Sequence, residues 1–351
     1  MSKASKAKTA IILFNLGGPD SLKAVKPFLF NLFFDKNIIT LPAFLRYFIA
    51  KLISSRREKT AIEIYEQMGG KSTILAETYA QRDALASILS NKIKDFEIFV
   101  CMRHWHPMSA EVIAKLEEYK PDEIILIPLY PQFSTTTTLS SAEEFTKLKK
   151  QSAIKDVIVK TICCYPTHNK FIKSHVELIE AAIEKVKDKD NFRILFSAHG
   201  LPKKIIKDGD PYQWQVENTV NAVIENMQRQ NFDYKITYQS RVGPVEWIGP
   251  NTEDEIELAI EQKKEMVIVP IAFVSEHSET LVELDIEYKN NADKMGINYI
   301  RVPTLSVNDL FIESLSEIII KAQEKDGEFI TSSSFSRICP KNYSKCPCKG
   351  E

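Results

Sequence analysis

Two groups of residues in this chain have the types and the spacing that metal or proton chemistry requires. His199 ends one apolar run, and Glu279, Glu283 and Glu287 follow another at intervals of four residues. A histidine at the end of a buried strand can exchange protons near neutral pH or ligate a metal. The glutamates would share one helix face, although like charges at this spacing repel by roughly 0.2–0.5 kcal/mol per pair. Such a row indicates a path for a cation or for protons; a loop histidine and a solvated helix face are the alternatives.

Two further segments have the composition of a surface for a flat apolar ligand. Residues 239–250 contain two Gly-Pro pairs and Trp247, and a stiff aromatic loop suits such a ligand. A packed loop with Trp247 in the core fits this segment equally well. Residues 28–52 are the most hydrophobic part of the chain and include Arg46 and Lys51. They are typical either of helices packed in a core or of a patch resting on a membrane.

The third candidate is a group of cysteines near the C-terminus. Cys339, Cys346 and Cys348 have a spacing of Cys-x6-Cys-x-Cys, whereas common zinc motifs pair cysteines about two to four residues apart. Four thiolates can instead hold a 2Fe–2S cluster. A reactive, unstructured tail is the third interpretation. A secreted disulfide framework is not expected in so large a chain with so few cysteines.

Composition limits the class of protein. With 351 residues, the chain is long enough for two domains. Its net charge of −1 argues against nucleic acid as a partner, since phosphate binding needs a basic surplus. No apolar run is long enough to predict a membrane span. The first ten residues carry three lysines and no apolar core, so no secretory signal is expected. We therefore expect a cytoplasmic protein.

The elements that must position these residues alternate between apolar runs and amphipathic stretches, which predicts an α/β fold with mainly parallel sheets. Eight runs are predicted to be strands, four on each side of residues 164–168, and in such folds ligands sit at the carboxyl ends of strands. We expect two Rossmann-like domains facing each other across a cleft, each with a four-stranded sheet flanked by helices. The predicted boundaries are 1–165, 166–324 and a cysteine-bearing tail at 325–351. The predicted strands are Ala10–Leu16, Glu97–Met102, Glu123–Leu129, Val157–Cys163, Arg193–Ala198, Lys235–Tyr238, Met266–Ile271 and Asn298–Val302.

Four motifs, taken together and in this order, resemble the ferrochelatase family. They are Leu-Gly-Gly-Pro at 16–19, Ser-Ala-His-Gly-Leu-Pro at 197–202, Gln-Ser-Arg-Val-Gly-Pro at 239–244 and Ser-Glu-His-Ser-Glu-Thr at 275–280. The likeness runs from about Thr9 to Gln323. It implies two Rossmann-like domains with a porphyrin between them. It also implies insertion of Fe²⁺ into protoporphyrin IX to form protoheme, the terminal step of heme biosynthesis.

The resemblance also implies roles for single residues. His199 and Glu279 match the family's essential histidine and glutamate, with Glu283 and Glu287 in the acidic line behind them. His199 and Glu279 are thus expected to act on protons or as ligands of the substrate Fe²⁺. The residues expected to contact the porphyrin are Leu16, Arg57, Tyr65, Ser72, Arg103, His104 and, from its stiff loop, Trp247. The family often has tyrosine where this chain has His104.

The tail is similar to that of bacterial members that hold a 2Fe–2S cluster with three tail cysteines and one internal cysteine. Animal members place the fourth cysteine where this chain has Thr135. The resemblance therefore leaves Cys163 or Cys164 as the fourth ligand, with Cys164 slightly preferred. It also indicates peripheral contact of residues 28–52 with the inner face of the cytoplasmic membrane; monomer and homodimer both stay open. The alternatives are a coproporphyrin ferrochelatase, a cobalt chelatase, or a non-enzymatic tetrapyrrole-binding iron–sulfur protein.

Overall fold

The computed structural model describes residues 7–229, 231–241 and 243–348, which form an α/β chain of two compact units. Unit 1 contains the chain up to Cys164, Ile312–Ile338 and the tail from Pro347, whereas unit 2 contains Tyr165–Phe311 and Cys339–Cys346. The first division falls one residue from the predicted boundary. The expected separate tail is instead shared between the units, and most of the last helix groups with unit 1.

Unit 1 is built on a parallel sheet of five strands in the order β2-β1-β3-β4-β9. The central strand β1 is buried along its whole length, as its uninterrupted apolar sequence predicts. The prediction of four strands was wrong for this unit, because a short edge strand in the polar tail pairs with β4. The strands are β1 (Thr9–Asn15), β2 (Phe96–Met102), β3 (Glu123–Pro128), β4 (Ile158–Cys164) and β9 (Phe329–Ser332).

Unit 2 is built on a parallel sheet of four strands in the order β6-β5-β7-β8. This confirms the predicted four-stranded sheet of the second half. Its central strand β5 is buried from its first residue until His199, which is partly exposed at the carboxyl end. The strands are β5 (Phe192–His199), β6 (Asp233–Gln239), β7 (Glu265–Pro270) and β8 (Tyr299–Arg301).

Helices connect the strands of each sheet, as parallel pairing requires. The α-helices that accompany the first sheet are α1 (Val25–Phe33), α2 (Ala43–Glu66), α3 (Ile74–Leu89), α4 (Ser109–Tyr119) and α5 (Ser140–Lys149). Those that follow are α6 (Asn169–Ile183), α7 (Lys203–Lys207), α8 (Tyr212–Asn226), α9 (Thr252–Glu261), α10 (Lys289–Lys294) and α11 (Asp309–Gln323). None of the helices in the described ranges is long and apolar enough to cross a membrane.

Two segments have the wider π-helical hydrogen-bond pattern, in which residue i pairs with residue i+5. One, Thr135–Leu139, precedes α5, and the other, Glu279–Tyr288, precedes α10. A ten-residue π-helix is unusual, because such turns normally occur singly and often at functional sites. The second segment contains all three glutamates of the acidic row, Glu279, Glu283 and Glu287.

Candidate functional site

The unit 2 site is assembled from the carboxyl ends of three neighbouring strands. β5 ends at His199 and β6 at Gln239, and these two residues are paired in the register of the sheet. β7 ends at Pro270, and the segment after it leads into the π-helix that begins at Glu279. The histidine and the glutamate, 80 positions apart in the chain, therefore meet at one edge of the sheet.

His199 and Glu279 form a direct hydrogen bond of 2.7 Å between Nδ1 of the imidazole and Oε2 of the carboxylate. A carboxylate oxygen can only accept here, so Nδ1 carries the hydrogen, and in the neutral ring Nε2 keeps a lone pair. The His199 side chain is 39% exposed, so the ring is reachable. The arrangement can therefore accept a proton or bind a metal at Nε2.

The charges of the pair stabilise each other. Burial alone would lower the pKa of His199, but the carboxylate of Glu279 outweighs it and places this pKa above its usual value. Burial alone would raise the pKa of Glu279, but the imidazolium of His199 outweighs it and lowers this pKa to about 2. Glu279 is thus ionised across the physiological range, and it favours the protonated form of His199.

Glu283 lies behind this pair and receives an unusually complete set of hydrogen bonds. The Tyr288 hydroxyl donates to Oε1 at 2.7 Å, and Nε2 of Gln239 donates to Oε2 at 3.0 Å. Ser240 adds its backbone N–H to Oε1 at 3.0 Å and its hydroxyl, 2.6 Å from Oε2. Burial, with the nearby charge of Glu279, nevertheless raises the pKa of Glu283. Of these two neighbouring carboxyl groups, Glu279 is held ionised, whereas Glu283 binds a proton more readily than an ordinary glutamate does.

The π-helix explains how Tyr288 reaches Glu283. The two residues are five apart, and in an α-helix only residues three or four apart share a face. The i to i+5 geometry of the π-helix places them one turn from each other. Glu287, by contrast, is exposed. The structure thus brings together two of the three predicted glutamates, and the third lies on the outer face.

Several functional neighbours in unit 2 had no role in the sequence-based prediction. Gln239 receives a hydrogen bond from Ser197 of β5 and donates one to the backbone carbonyl of Glu279. His277 is buried, with Nε2 3.9 Å from Oε1 of Glu279, and burial lowers its pKa. Gln239 and His277 stand inside motifs that were recognised from the sequence, so motif membership was the signal that could have found them.

Arg301, at the end of β8, fastens both ends of the segment that carries the glutamates. Its guanidinium contacts Oε1 of Glu276 at 2.6 Å, before the π-helix, and both carboxylate oxygens of Asp285 within it. The Arg301 side chain is only 13% exposed, so these ion pairs are well shielded from water. We conclude that the start of the π-helix is rigidly positioned relative to the sheet edge.

Trp247 lies next to the residue that follows His199. A side chain placed on Gly200 would come within 3.4 Å of Cε3 of Trp247 and 2.9 Å of the carbonyl oxygen of Gln239. The indole is half-buried and pairs through its backbone with Pro202. The structure therefore places the aromatic loop beside the His199 strand end.

In unit 1, four of the residues expected to contact a porphyrin gather at the carboxyl end of the sheet. Leu16 follows β1, and its carbonyl accepts a hydrogen bond from the backbone N–H of His104, which follows β2 next to Arg103. Ser72 packs so closely against Gly18 that an added Cβ there would lie 2.5 Å from its Oγ. Leu16, Ser72, Arg103 and His104 thus belong to one edge.

Arg103 is held by protein groups on three sides. Its guanidinium lies 3.1 Å from Asp35 and 3.1 Å from Glu144, and Nε donates to Ser140 at 2.6 Å. The adjacent His104 is fully buried with no hydrogen-bond partner at either ring nitrogen, and burial and Arg103 lower its pKa. His104 is therefore neutral. The carboxylates that fix Arg103 were missed, because nothing in their local sequence marks them.

The remaining two predicted contacts of unit 1 lie near helix α1. Arg57 on α2 places its guanidinium carbon 5.9 Å from the ring centre of Phe33, a cation–π distance. Tyr65, near the end of α2, is 7% exposed and packs with Val25, Phe28 and Leu29. Both residues are thus within reach of the hydrophobic segment at 28–52.

The five predicted cluster cysteines are all buried in the structure. In unit 1, Sγ of Cys163 lies 3.2 Å from Sγ of Cys348 and 3.7 Å from Sγ of Cys164. In unit 2, Nε2 of Gln215 donates to Sγ of Cys339 at 3.1 Å. Within the described residues, no three or more His, Cys, Asp or Glu side chains are already arranged to hold a metal ion.

Comparison with known proteins identifies the relatives of this chain. The family profile described as Ferrochelatase matches residues 8–323. A protein named ferrochelatase from Rickettsia conorii is 58% identical over 346 residues, which is 98% of this chain and 99% of that protein. A ferrochelatase from Pelagibacter ubique is 52% identical, over 97% of this chain and 98% of that protein.

Solved structures show the same architecture at much lower sequence identity. SirB from Bacillus subtilis with Fe³⁺ matches with a TM-score of 0.54 at 12% identity, over 90% of this chain and 96% of that one. The sirohydrochlorin chelatase SirB from Bacillus subtilis subspecies spizizenii, in complex with cobalt, matches with a TM-score of 0.52 at 9% identity and the same coverage. These likenesses concern the fold.

Proposed function

This chain belongs to the ferrochelatase family and is an enzyme of heme synthesis that inserts iron into a porphyrin; we propose that it uses protoporphyrin IX and that His199 and Glu279 form its insertion site. The observation that carries this assignment is the 2.7 Å bond between the two side chains. It fixes the hydrogen on Nδ1 and leaves Nε2 as the reactive nitrogen in a side chain that is 39% exposed.

Metal insertion requires that two pyrrole N–H protons leave as Fe²⁺ enters the ring. In the proposed mechanism, neutral His199 accepts a pyrrole proton at Nε2, and the resulting imidazolium is stabilised by the ionised carboxylate of Glu279. Coordination of the incoming iron by Nε2 is the alternative, since it would use the same lone pair. A planar porphyrin hides its nitrogen lone pairs, so an active site that bends the ring lowers the barrier.

The porphyrin contacts proposed in unit 1 have two chemical types. Leu16 supplies an apolar surface for the macrocycle, and Ser72, Arg57 and Tyr65 supply polar groups for propionates. Arg103 has a different proposed part, because its guanidinium already bonds Asp35 and its neighbours. We assign it to holding this edge in shape rather than to binding a propionate directly.

We also propose that the tail thiols bind a 2Fe–2S cluster, and we propose Cys163 as the fourth ligand rather than Cys164. Support comes from the 3.2 Å approach of Cys348 to Cys163, which brings one tail thiol to the end of β4. The burial of Cys339 and Cys346 is also consistent with ligation. When bound, such a cluster would supply electron-transfer chemistry at a site held by four thiolates. A colourless protein, purified without air, would rule it out.

Peripheral contact with the inner face of the cytoplasmic membrane is proposed for helix α2. Phe44, Phe48 and Leu52 lie four residues apart on one helical face and are 65%, 66% and 49% exposed. Exposed aromatics next to Lys51 are typical of a helix that rests in a lipid interface. Replacing Phe44 and Phe48 by Ser should abolish co-sedimentation with anionic vesicles. Undiminished sedimentation would exclude this face.

The main experiment is an anaerobic insertion assay with Fe²⁺ and protoporphyrin IX, comparing the wild type with His199→Ala. We expect the variant to bind porphyrin, measured by fluorescence quenching, but to lose turnover. Retained turnover would exclude His199 as the essential group. Parallel assays with coproporphyrin and with Co²⁺ test the two related activities. Tight porphyrin binding by the wild type without insertion of any metal would indicate a carrier instead.

A further inference from the structure

Ser240 occupies a backbone conformation that serine rarely adopts. It follows β6 directly and has a φ of +63°. For a residue other than glycine, the left-handed region is strained, and it persists where the surrounding structure imposes it. The conformation directs both the backbone N–H and the hydroxyl of Ser240 at carboxylates of the π-helix.

The hydroxyl of Ser240 stands between the two carboxylates. Its Oγ lies 3.0 Å from Oε2 of Glu279 and 2.6 Å from Oε2 of Glu283. A hydroxyl has a single hydrogen and can donate to only one acceptor at a time. Both contacts can be hydrogen bonds at the same time only when one of the two carboxyl groups is protonated. That group then donates its hydrogen to Oγ, while the Ser240 hydroxyl donates to the other. The geometry thus describes a chain of three oxygens that share one added proton.

We propose that the hydroxyl of Ser240 is the bridge through which a proton passes from Glu279 to Glu283 during metal insertion. This inference rests on the proposed function, in which His199 takes protons from the porphyrin. Each turnover releases two protons, and one imidazole can hold only one of them. A second acceptor connected to the first removes the charge from the imidazolium and leaves a neutral ring that carries the pyrrole proton on Nε2.

The transfer balances without any further reactant. Glu279 first receives the Nδ1 proton of the His199 imidazolium on Oε2. The O–H bond of Glu279 then breaks as its hydrogen bonds to Oγ of Ser240, while the O–H bond of Ser240 breaks and its hydrogen bonds to Oε2 of Glu283. Serine ends unchanged, Glu279 is again a carboxylate, Glu283 carries the proton, and His199 is neutral with its remaining hydrogen on Nε2.

The surroundings of the two carboxylates give this transfer its direction. Glu279 faces the two imidazoles of His199 and His277, which favour its ionised form. Glu283 faces Glu279, and the groups that donate hydrogen bonds to it in the described part of the site, the Tyr288 hydroxyl included, are uncharged. The nearby Arg241 is turned to Asp254, 3.5 Å away. Glu283 is therefore the better resting place for the proton.

The test compares Ser240→Ala and Ser240→Gly, which both lack the hydroxyl but differ in backbone freedom. For each, we expect kcat to fall about 100-fold, the lower end of the range for an acid–base group, with an unchanged KM for protoporphyrin. The solvent deuterium isotope effect on kcat should show a curved proton inventory in the wild type, because several protons move together, and a linear one in both variants.

A matched control separates backbone strain from hydroxyl chemistry. Lys263 is exposed, lies in the same unit and also has a positive φ, of 53°. The substitution Lys263→Gly therefore relieves similar backbone strain away from the site, and it should leave kcat unchanged. Ser240→Gly also relieves strain, so thermal melting should show it folded. Wild-type kcat and a wild-type isotope effect in Ser240→Gly would overturn the bridge while leaving the proposed function intact. Failure of the wild type to insert iron would remove both.

Discussion

Replacing Glu279 by Gln tests the central pair most directly, because the amide keeps the shape and an acceptor for His199 but removes the charge. The wild-type bond is 2.7 Å long and joins the ring nitrogen to an ionised oxygen. General acid–base groups contribute about 10²–10⁴-fold to rate. Because the variant keeps the imidazole itself, we expect the lower half of that range, a fall in kcat of about 10²–10³-fold.

The stability cost should be much smaller than the catalytic cost. A hydrogen bond to a charged group is worth about 1.5–3 kcal/mol and a neutral one about 0.5–1.5 kcal/mol, so the exchange costs roughly 1 kcal/mol. Loss of the repulsion between Glu279 and Glu283 offsets part of this cost. For a protein of this size, we expect the melting temperature to fall by no more than about 2–4 °C.

The pH dependence of kcat should also change in Glu279→Gln, and the direction of that change can be predicted. Glu279 raises the pKa of His199 above its ordinary value of 6.5, and His199 must be neutral to accept a proton. Wild-type activity should therefore rise as pH increases through that raised pKa. In Glu279→Gln, the acid limb of the kcat profile should move to lower pH. A limb that stays in place, or moves to higher pH, would refute His199 as the proton acceptor.

The same linkage sets the pH window in which the pair stabilises the fold. The contribution of Glu279, whose pKa falls from 4.5 to about 2, is present above pH 4.5 and is lost as pH falls through 2. The contribution of His199, whose pKa is raised, is complete below pH 6.5 and is lost as pH rises through its folded value. The difference in stability between wild type and Glu279→Gln should therefore be largest between these limits.

Two further predictions concern unit 1. Arg103→Lys should lower the free energy of unfolding by about 1–3 kcal/mol in urea titrations, because a lysine cannot bridge Asp35 and Glu144 as the planar guanidinium does; unchanged stability would contradict the structural role of Arg103. Gly18→Ala should cost about 1–3 kcal/mol, because its Cβ would come within 2.5 Å of Oγ of Ser72; a variant as stable as the wild type would show that this loop yields.

Most of the strands were predictable because they are buried on both faces, which makes their sequences largely apolar; β6, whose first half is not buried, is an exception. The eight predicted runs correspond to β1–β8 with ends within about two residues. β9 escaped detection because it is a four-residue edge strand that pairs on one side only. Ile330 within it is 50% exposed, and the surrounding serines are typical of a loop.

The site was predictable to the extent that its residues stand at strand ends within recognisable motifs. His199 ends β5, Glu279 stands in the motif that follows β7, and the structure brings the two into contact. The partners of Arg103 do not satisfy this condition, since Asp35 and Glu144 come from separate helical regions and meet only after folding. Sequence spacing identifies the ends of parallel strands, but it does not reveal which polar groups later surround them.

The acidic row shows where a spacing argument reaches its limit. Intervals of four place three glutamates on one face of an ideal helix, yet only Glu279 and Glu283 face the site. The π-helix makes residues five apart neighbours, so the position one turn after Glu283 belongs to Tyr288. Glu287 is consequently exposed. The change of helix type therefore replaces a third negative charge with a neutral hydroxyl donor, which lets Glu283 gain a proton without a second carboxylate beside it on that side.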